Sequence, residues 1–347
     1  MSIDQAQPDD TESTSLAAAR TGDQQAFELL VAQFRHELVV HCYRFLGSYE
    51  DAEDVLQETL LRAWRRLDSF EGRSSFRAWL YRIATNASLD AIDSRRVRAM
   101  STELYPAGDP SAPLPQPVKD GRWVGPLPDE LIDNQPAVYP EARYEVRESI
   151  KLAFVAALQH LPGRQRAVLL LRDVLGWNIN EIAGMLSMTP VAVNSVLQRA
   201  RVTMQQHWDR RKQRQSEALN DDLKKSLLNR YVAAWEAADS NALVALLCED
   251  VSLTMPPFPV WFSGRDNVQV FLDGTVFKSL GGRPLRFVAT RANGCPAFAV
   301  YQCDPQGNYH PAALHVLSFQ DGQIREINDF LTIDNDLFSR FGLPISG

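Results

Sequence analysis

Between Tyr105 and Pro140 the chain carries Pro106, Pro110, Pro113, Pro115, Pro117, Pro126, Pro128, Pro136 and Pro140, and no other feature limits its fold as strongly. Each proline fixes φ and removes a backbone donor, so no long helix can cross this stretch. Residues 100–140 are therefore expected to form an extended linker, with separately folded bodies on either side. A second break is the charged run from Asp209 to Lys225, where helical spacing gives way to a mixture of helices and alternating strands. With 209–222 as a second linker, three bodies result: 15–99, 141–208 and 223–338, followed by a tail at 339–347. A length of 347 residues, 45% of them hydrophobic, supports two or three cores rather than one.

The formal net charge of −7 argues against a free-standing DNA binder, because phosphate neutralisation normally demands a basic surface. Either DNA is irrelevant, or something else holds the protein on DNA. No run of eighteen apolar residues occurs, and Met1 to Ser15 is acidic and polar, so neither a membrane span nor a signal peptide is expected. The expected location is the cytosol. Cys42, Cys248, Cys295 and Cys303 lack metal-ligand spacing and read as small, reduced core residues, with no metal and no cofactor implied.

The first body reads as helical throughout. Over Asp51 to Leu67, the residues Ala52, Val55, Leu56, Leu60, Ala63, Trp64 and Leu67 recur at three- and four-residue intervals and predict one buried stripe, with Ser48 and Asp51 resembling a capping box. The opposite face carries Asp54, Gln57, Glu58 and Leu61, which suits either solvent or a basic partner helix. The loop from Asp68 to Ser75 leads to a helix expected over Phe76–Arg98 and capped by Ser74 or Ser75. Phe76, Trp79, Leu80, Ile83 and Ala87 supply its core stripe; Arg73, Arg77, Arg82, Arg95, Arg96 and Arg98 are candidate phosphate contacts. Aromatic faces beside arginines suit single-stranded DNA, although Trp79 and Tyr81 also read as ordinary core.

In the second body, Asn180 to Leu186 predicts a short helix and Ser187 to Thr189 a turn. Thr189 then caps a helix opened by Pro190. This is helix-turn-helix spacing. Val193, Leu197 and Ala200 face inward, while Asn194, Ser195, Gln198, Arg199 and Arg201 face outward, a set able to reach base edges and phosphates in a major groove.

The strings His41 to Ser48 (HCYRFLGS), Asp51 to Thr59 (DAEDVLQET), Phe70 to Ser75 and Trp79 to Asn86 (WLYRIATN) resemble region two of extracytoplasmic-function sigma factors. Leu161 to Val168 (LPGRQRAV) and the helix-turn-helix after it are similar to region four. The resemblance implies core RNA polymerase as partner, through its beta-prime clamp helices and beta flap, with Asp54, Gln57, Glu58 and Leu61 as docking residues. It implies single-stranded minus-ten DNA at Phe70, Arg73, Arg77, Trp79, Arg82 and Asn86. Asn86 matches the family's base-reading asparagine, where a base flipped from the stack must recover a few kcal/mol of unstacking. Duplex minus-thirty-five DNA falls to Asn194, Ser195, Gln198, Arg199 and Arg201, although Asn194 and Val196 stand where some relatives carry arginine. The polymerase grip on DNA would reconcile the acidic charge. The linker, by the same resemblance, threads the polymerase.

The third body opens with an amphipathic helix (Leu227, Leu228, Tyr231, Val232, Trp235, Ala238) and a second helix capped at Asp239-Ser240 and expected to run through Leu247. Strand patterns follow from Val251, Leu285, Ala297 and Ala312, and Asp321-Gly322 between two alternating runs is a strong hairpin signal. Met255-Pro-Pro257, Trp261, Gly264-Arg-Asp266 and Glu326 to Phe330 resemble the SnoaL-like branch of the nuclear-transport-factor-two-like cone fold. The expected fold is thus multidomain: all-α regions two and four, the latter a helix-turn-helix, plus an α+β cone. Trp261, His315 and Asp329 are candidate pocket residues, for a small-molecule ligand or a protein regulator, or for acid–base chemistry; a histidine beside a carboxylate more often serves structure, and fold alone does not establish chemistry. The resemblance implies regulation of the sigma core in cis, so removing Leu223–Gly347 should alter transcription. The tail Asp336 to Pro344 is apolar enough to pack on another unit. A one-component regulator would leave the first hundred residues unexplained, and an isomerase or hydrolase would explain only the last domain.

Overall fold

Gly47 adopts a left-handed conformation (φ 67°) that ends one helix, and Ser48 Oγ accepts from the Asp51 amide (3.2 Å) to begin the next. Local devices of this kind set the helical order. The computed structural model describes residues 10–94, 97–118, 121–133, 147–212, 221–332 and 336–345. Helices are α1 (Asp10–Arg20), α2 (Gln24–Ala32), α3 (Arg35–Leu46), α4 (Tyr49–Arg65), α5 (Phe76–Ser94), the short α6 (Ser101–Leu104) and α7 (Glu130–Asp133), α8 (Leu152–Gln159), α9 (Gly163–Leu169), α10 (Ile179–Leu186), α11 (Pro190–Lys212), α12 (Asp221–Glu236), α13 (Ser240–Val244), α14 (Arg265–Phe271), α15 (Phe277–Leu280) and α16 (Asp336–Arg340). Strands are β1 (Leu247–Thr254), β2 (Trp261–Ser263), β3 (Leu285–Ala292), β4 (Cys295–Cys303), β5 (Tyr309–Gln320) and β6 (Gln323–Leu331). The chain divides into two compact units: Met1–Arg95, Leu131–Ser149 and Leu161–Thr203 in one; Arg96–Glu130, Ile150–His160 and Met204–Gly347 in the other.

In the first unit α3 is the centre, with Leu38, Val39, Val40, Cys42, Tyr43 and Phe45 buried. Two of its buried side chains reach neighbouring segments: His41 Nε2 bonds Thr85 Oγ1 of α5 (2.9 Å), and Arg44 donates to Ser149 Oγ (2.8 Å). Burial pushes the His41 imidazole down to about 3, so it is a neutral core residue. Arg166 donates to the Phe45 and Leu161 carbonyls and so ties α9 to the end of α3. A Cβ on Gly163 would lie 3.0 Å from Leu89 Cδ2, so α9 approaches α5 closely there. The Ser75 hydroxyl, accepting from the Ala78 amide (3.1 Å), caps α5. That helix ends at Ser94 and not at Arg98, which lies in a non-helical segment and donates to the Trp123 carbonyl (3.0 Å). Arg95 and Arg96 fall outside the described residues.

The second unit is a six-stranded sheet of order β2-β1-β6-β5-β4-β3, antiparallel except for the β1–β6 pair. Asp321 (φ 50°) and Gly322 (φ 82°) form the two-residue β5–β6 turn that the sequence predicts. One sheet face packs against Tyr231 and Trp235 of α12, Leu243 of α13 and Phe271 of α14. Residues of opposite parity, Ala299 and Tyr301, turn to the other face and receive Phe338 of α16. The apolar tail is thus spent on the outer face of its own sheet, with the Tyr301 hydroxyl donating to the Pro344 carbonyl (2.9 Å), rather than on another unit. The second helix stops at Val244, short of Leu247, because Leu247 already begins β1.

Among its described residues the proline-rich segment forms no long helix, and much of it is anchored within this second unit. Gly108 N donates to the Trp261 carbonyl (2.8 Å) and Val118 N to that of Pro257 (2.8 Å). A Cβ on Gly108 would meet Val260 Cγ2 at 2.5 Å, so only glycine fits this approach. Trp123, Val124 and Leu127 are buried.

Candidate nucleic-acid interface

A half-open cavity of about 460 Å³ lies where the end of α4, the loop over 69–74 and the middle of α5 meet. Helical spacing places Trp79, Arg82, Ile83 and Asn86 on one stripe of α5 facing it. Phe70, Phe76 and Trp79 form an aromatic framework with ring centroids 5.4–5.6 Å apart. Phe70 and Phe76 are buried, whereas Trp79 is only half-buried and keeps part of its ring available. The Arg20 guanidinium donates to the Phe70 carbonyl and lies over its ring (6.0 Å), pinning the loop to α1.

The rim is cationic. Arg62, Arg66, Arg73 and Arg82 line the cavity against one acid, Glu71, which pairs with Arg73. Arg62 is held between Glu58 Oε1 and Asp90 Oδ2, 2.7 Å from each, which raises its already high pKa. Asn86 is exposed at the lining and offers an amide donor and acceptor. Aromatic face, cations and one amide are the chemical groups that stacking, phosphate neutralisation and edge hydrogen bonding to an unstacked base require. Of the six minus-ten candidates the cavity gathers Phe70, Arg73, Trp79, Arg82 and Asn86. Arg77 stands apart, bonded to Glu37 (2.7–2.9 Å) and lying over the Tyr81 ring at 4.8 Å.

On α4, Asp54, Gln57 and Leu61 are exposed, Leu61 by 50%, while Glu58 is half-buried against Arg62. The helix-turn-helix is α10 and α11. Asn178 and Glu181 cap α10 reciprocally, Ser187 turns the chain at φ 54°, and Thr189 Oγ1 accepts from the Ala192 amide (3.2 Å). Val193, Leu197 and Ala200 are buried and Asn194, Ser195, Gln198, Arg199 and Arg201 exposed. Ser195 Oγ donates back to the Val191 carbonyl (3.1 Å), and Arg201 is bidentate to Asp173 (2.5 and 2.9 Å).

In the second unit His315 and Asp329 are cross-strand partners on β5 and β6, with Nε2 and Oδ1 3.5 Å apart, and Tyr231 Oη lies 2.8 Å from His315 Nδ1. Burial pushes the Asp329 carboxyl up to about 8 and the His315 imidazole down to about 3, so both are neutral at pH 7. Trp261 is engaged elsewhere, its indole donating to the Tyr105 carbonyl (2.8 Å). Among the described residues no group of three His, Cys, Asp or Glu is placed to hold a metal ion, and no helix is long and apolar enough to cross a membrane.

The Sigma-70 region 2 model matches residues 30–98 and the Sigma-70, region 4 model residues 151–204. The ECF RNA polymerase sigma factor SigG of Mycobacterium tuberculosis is 43% identical over 332 residues, covering 95% of this chain and 86% of that protein. The chain belongs to the extracytoplasmic-function (ECF) RNA polymerase sigma factors. The ECF RNA polymerase sigma-E factor of Escherichia coli, 31% identical, aligns with only 55% of this sigma factor and 91% of its own length. The crystal structure of the extracytoplasmic function sigma factor SigJ of M. tuberculosis covers 92% of the sigma factor and 99% of that chain, with a TM-score of 0.54 at 23% identity, a likeness of fold.

Four residues of the sigma factor that shape these sites escaped sequence reasoning. Arg62 and Arg66, from the last turn of α4 and its cap, complete the cavity rim, and their spacing from Glu58 was the available signal. Arg20 and Tyr231 act over separations of 50 and 84 residues, which no local pattern encodes.

Proposed function

We propose that this sigma factor reads the minus-ten element as unpaired strand in the α4–α5 cavity, stacking a flipped base on Trp79 and addressing its edge through Asn86. Asn194, Ser195, Gln198 and Arg199 read the minus-thirty-five duplex, with Arg201 contacting phosphate once it exchanges Asp173 for DNA. Asp54, Gln57, Glu58 and Leu61 dock on the beta-prime clamp helices of core polymerase, the beta flap takes region four, and the complex works in the cytoplasm. The protein is a non-catalytic specificity subunit. The C-terminal domain regulates the sigma core in cis, and the pair His315 and Asp329 serves its core, with Tyr231 between helix and sheet.

The observation that carries the base-reading assignment is the convergence of Phe70, Trp79, four arginines and Asn86 on one cavity of nucleotide dimensions. Run-off transcription with core polymerase on a genomic promoter tests it, comparing native protein with Asn86→Ala and Arg199→Ala. Each variant is expected to lose about 1–3 kcal/mol of discrimination, roughly 5- to 150-fold, at its own element only. Unchanged selectivity at the minus-ten element in Asn86→Ala would overturn the assignment.

A further inference from the structure

The β3–β4 turn, Asn293-Gly294, holds a buried polar cluster that neither promoter reading nor polymerase docking uses. Asn293 has no exposed surface and a left-handed backbone (φ 55°). Its amide N–H donates to the Leu127 carbonyl (2.9 Å), its Oδ1 accepts from the Leu127 amide (2.8 Å), and its Nδ2 donates to the Ile150 carbonyl (2.6 Å). Asp129, 3% exposed, accepts from Gly294 N (2.7 Å) and Arg291 Nε (3.0 Å), while its own amide donates to the Arg291 carbonyl (3.3 Å). Over residues 126–129 the two prolines have no N–H, so Leu127 and Asp129 own the only backbone donors, and both are spent on this turn.

These contacts sit at both ends of the chain's excursion from the second unit, since Leu127 and Asp129 precede residues 131–149 and Ile150 follows them. Ile150 also immediately precedes the stretch matched to region four. We infer that the β3–β4 turn is a lock on the connection between the two promoter-reading regions: the C-terminal domain controls the sigma factor by gripping residues 127–129 and Ile150, and transcription rises when the grip opens. The inference rests on the reading of the C-terminal domain as a regulator in cis and names the segment it acts on.

Chain reach supplies the reason. Released, the fifty-five residues from Arg96 to Ile150 extend to roughly 180 Å at about 3.3 Å each. Elements roughly 25 base pairs apart are separated by about 85 Å at 3.4 Å per pair. Locked, Leu127 and Ile150 are fixed to a single asparagine, which takes the twenty-three steps between them, about 76 Å at the same rise, out of that reach, while Gly108 and Val118 hold more of the chain on the same domain. Buried hydrogen bonds hold the lock as a unit, because opening one leaves its partners unsatisfied in a dry site.

The test combines hydrogen exchange on the full chain with run-off transcription by core polymerase. Asn293→Asp tolerates the left-handed turn and keeps the acceptor for Leu127, but sets a carboxylate oxygen against the Ile150 carbonyl. Asp129→Ala works from the linker side and leaves the C-terminal domain's sequence intact, so the lock remains testable if Asn293→Asp unfolds that domain. Both are expected to speed exchange at the Leu127 and Asn293 amides at least tenfold and to raise transcript yield at least threefold. Native exchange in Asp129→Ala, or faster exchange with unchanged yield, overturns the lock. Trp235→Ala, which loosens the same domain's core away from the turn, separates the two readings: a changed yield there alone keeps regulation in cis and discards the lock, and no change in any variant discards both.

Discussion

The buried pair on β5 and β6 makes the stability of the C-terminal domain depend on pH in a defined window. Asp329 titrates near 8 in the folded protein against an ordinary 3.8, and His315 near 3 against 6.5. Between 3.8 and 8 the folded state keeps a proton on Asp329 that the unfolded chain has released, so stability falls as pH rises, by about 1.4 kcal/mol per pH unit. Between 3 and 6.5 the unfolded chain protonates His315 while the folded state does not, so stability rises with pH over that range. The two slopes oppose each other below 6.5, and above it Asp329 acts alone. From pH 6.5 to 8 the loss attributable to Asp329 is therefore on the order of 2 kcal/mol. Asn at this position mimics the protonated carboxyl and removes the titration. Native-state hydrogen exchange of amides in β5 and β6, for native protein and Asp329→Asn, isolates the effect as a difference. The native protein should lose about 2 kcal/mol relative to the variant across the window. A constant difference from pH 6.5 to 8 would show that the carboxyl is ionised in the fold, and the neutral assignment would fail.

Two further outcomes concern the promoter-reading bodies. Arg201→Ala removes the guanidinium that exchanges Asp173 for DNA in this reading, so binding of the holoenzyme to a minus-thirty-five duplex should flatten in its salt dependence by about 0.9 in log–log slope, one phosphate contact; an unchanged slope would place Arg201 off the backbone. Arg166→Leu leaves the Phe45 and Leu161 carbonyls without their buried donor, and each should cost about 1–3 kcal/mol in urea unfolding of the full chain, whereas a near-neutral result would mean that water replaces the guanidinium.

Much of this was legible in the sequence, wherever one residue's role follows from near neighbours. The stripe from Ala52 to Leu67, the Thr189 cap and the Asp321-Gly322 turn all depend on periodicity or on the φ preferences of one or two residues. On α5 periodicity marked the core stripe of Phe76, Trp79, Leu80, Ile83 and Ala87, and Asn86 followed only from the family resemblance; that Trp79, Arg82 and Asn86 line one cavity emerges from the fold. Arg77 shows the limit: its composition matched a phosphate contact, but Glu37, forty residues away, determines where its guanidinium rests. The expected run to Arg98 was too long because arginine is a good helix former, whereas at Arg98 a tertiary contact, its bond to the Trp123 carbonyl, overrides the propensity. Asn293-Gly294, by contrast, is a hairpin dipeptide between alternating runs. Its turn was visible in principle, yet its grip on Leu127 and Ile150 spans 166 and 143 residues and was not.

The linker's anchoring also changes what a truncation can show. Proline content argues for an extended chain because it removes donors, but it equally reduces the number of backbone groups a docking surface must satisfy. Leu127, with no exposed surface, and Val124, 1% exposed, are apolar side chains within that segment, and burying each stabilises by roughly 1.5–3 kcal/mol. Deleting residues 223–347 would remove the carbonyls that receive Gly108 and Val118 and every partner that Leu127 finds on Asn293. The remaining linker would expose apolar surface and unpaired donors, so altered transcription in such a fragment would mix lost regulation with a collapsed or aggregating linker. A substitution at Asp129 opens the same contact from the linker side and leaves the sequence of the sheet and the rest of the linker intact. It therefore separates a regulatory contact from a structural one, where removal of the whole domain does not.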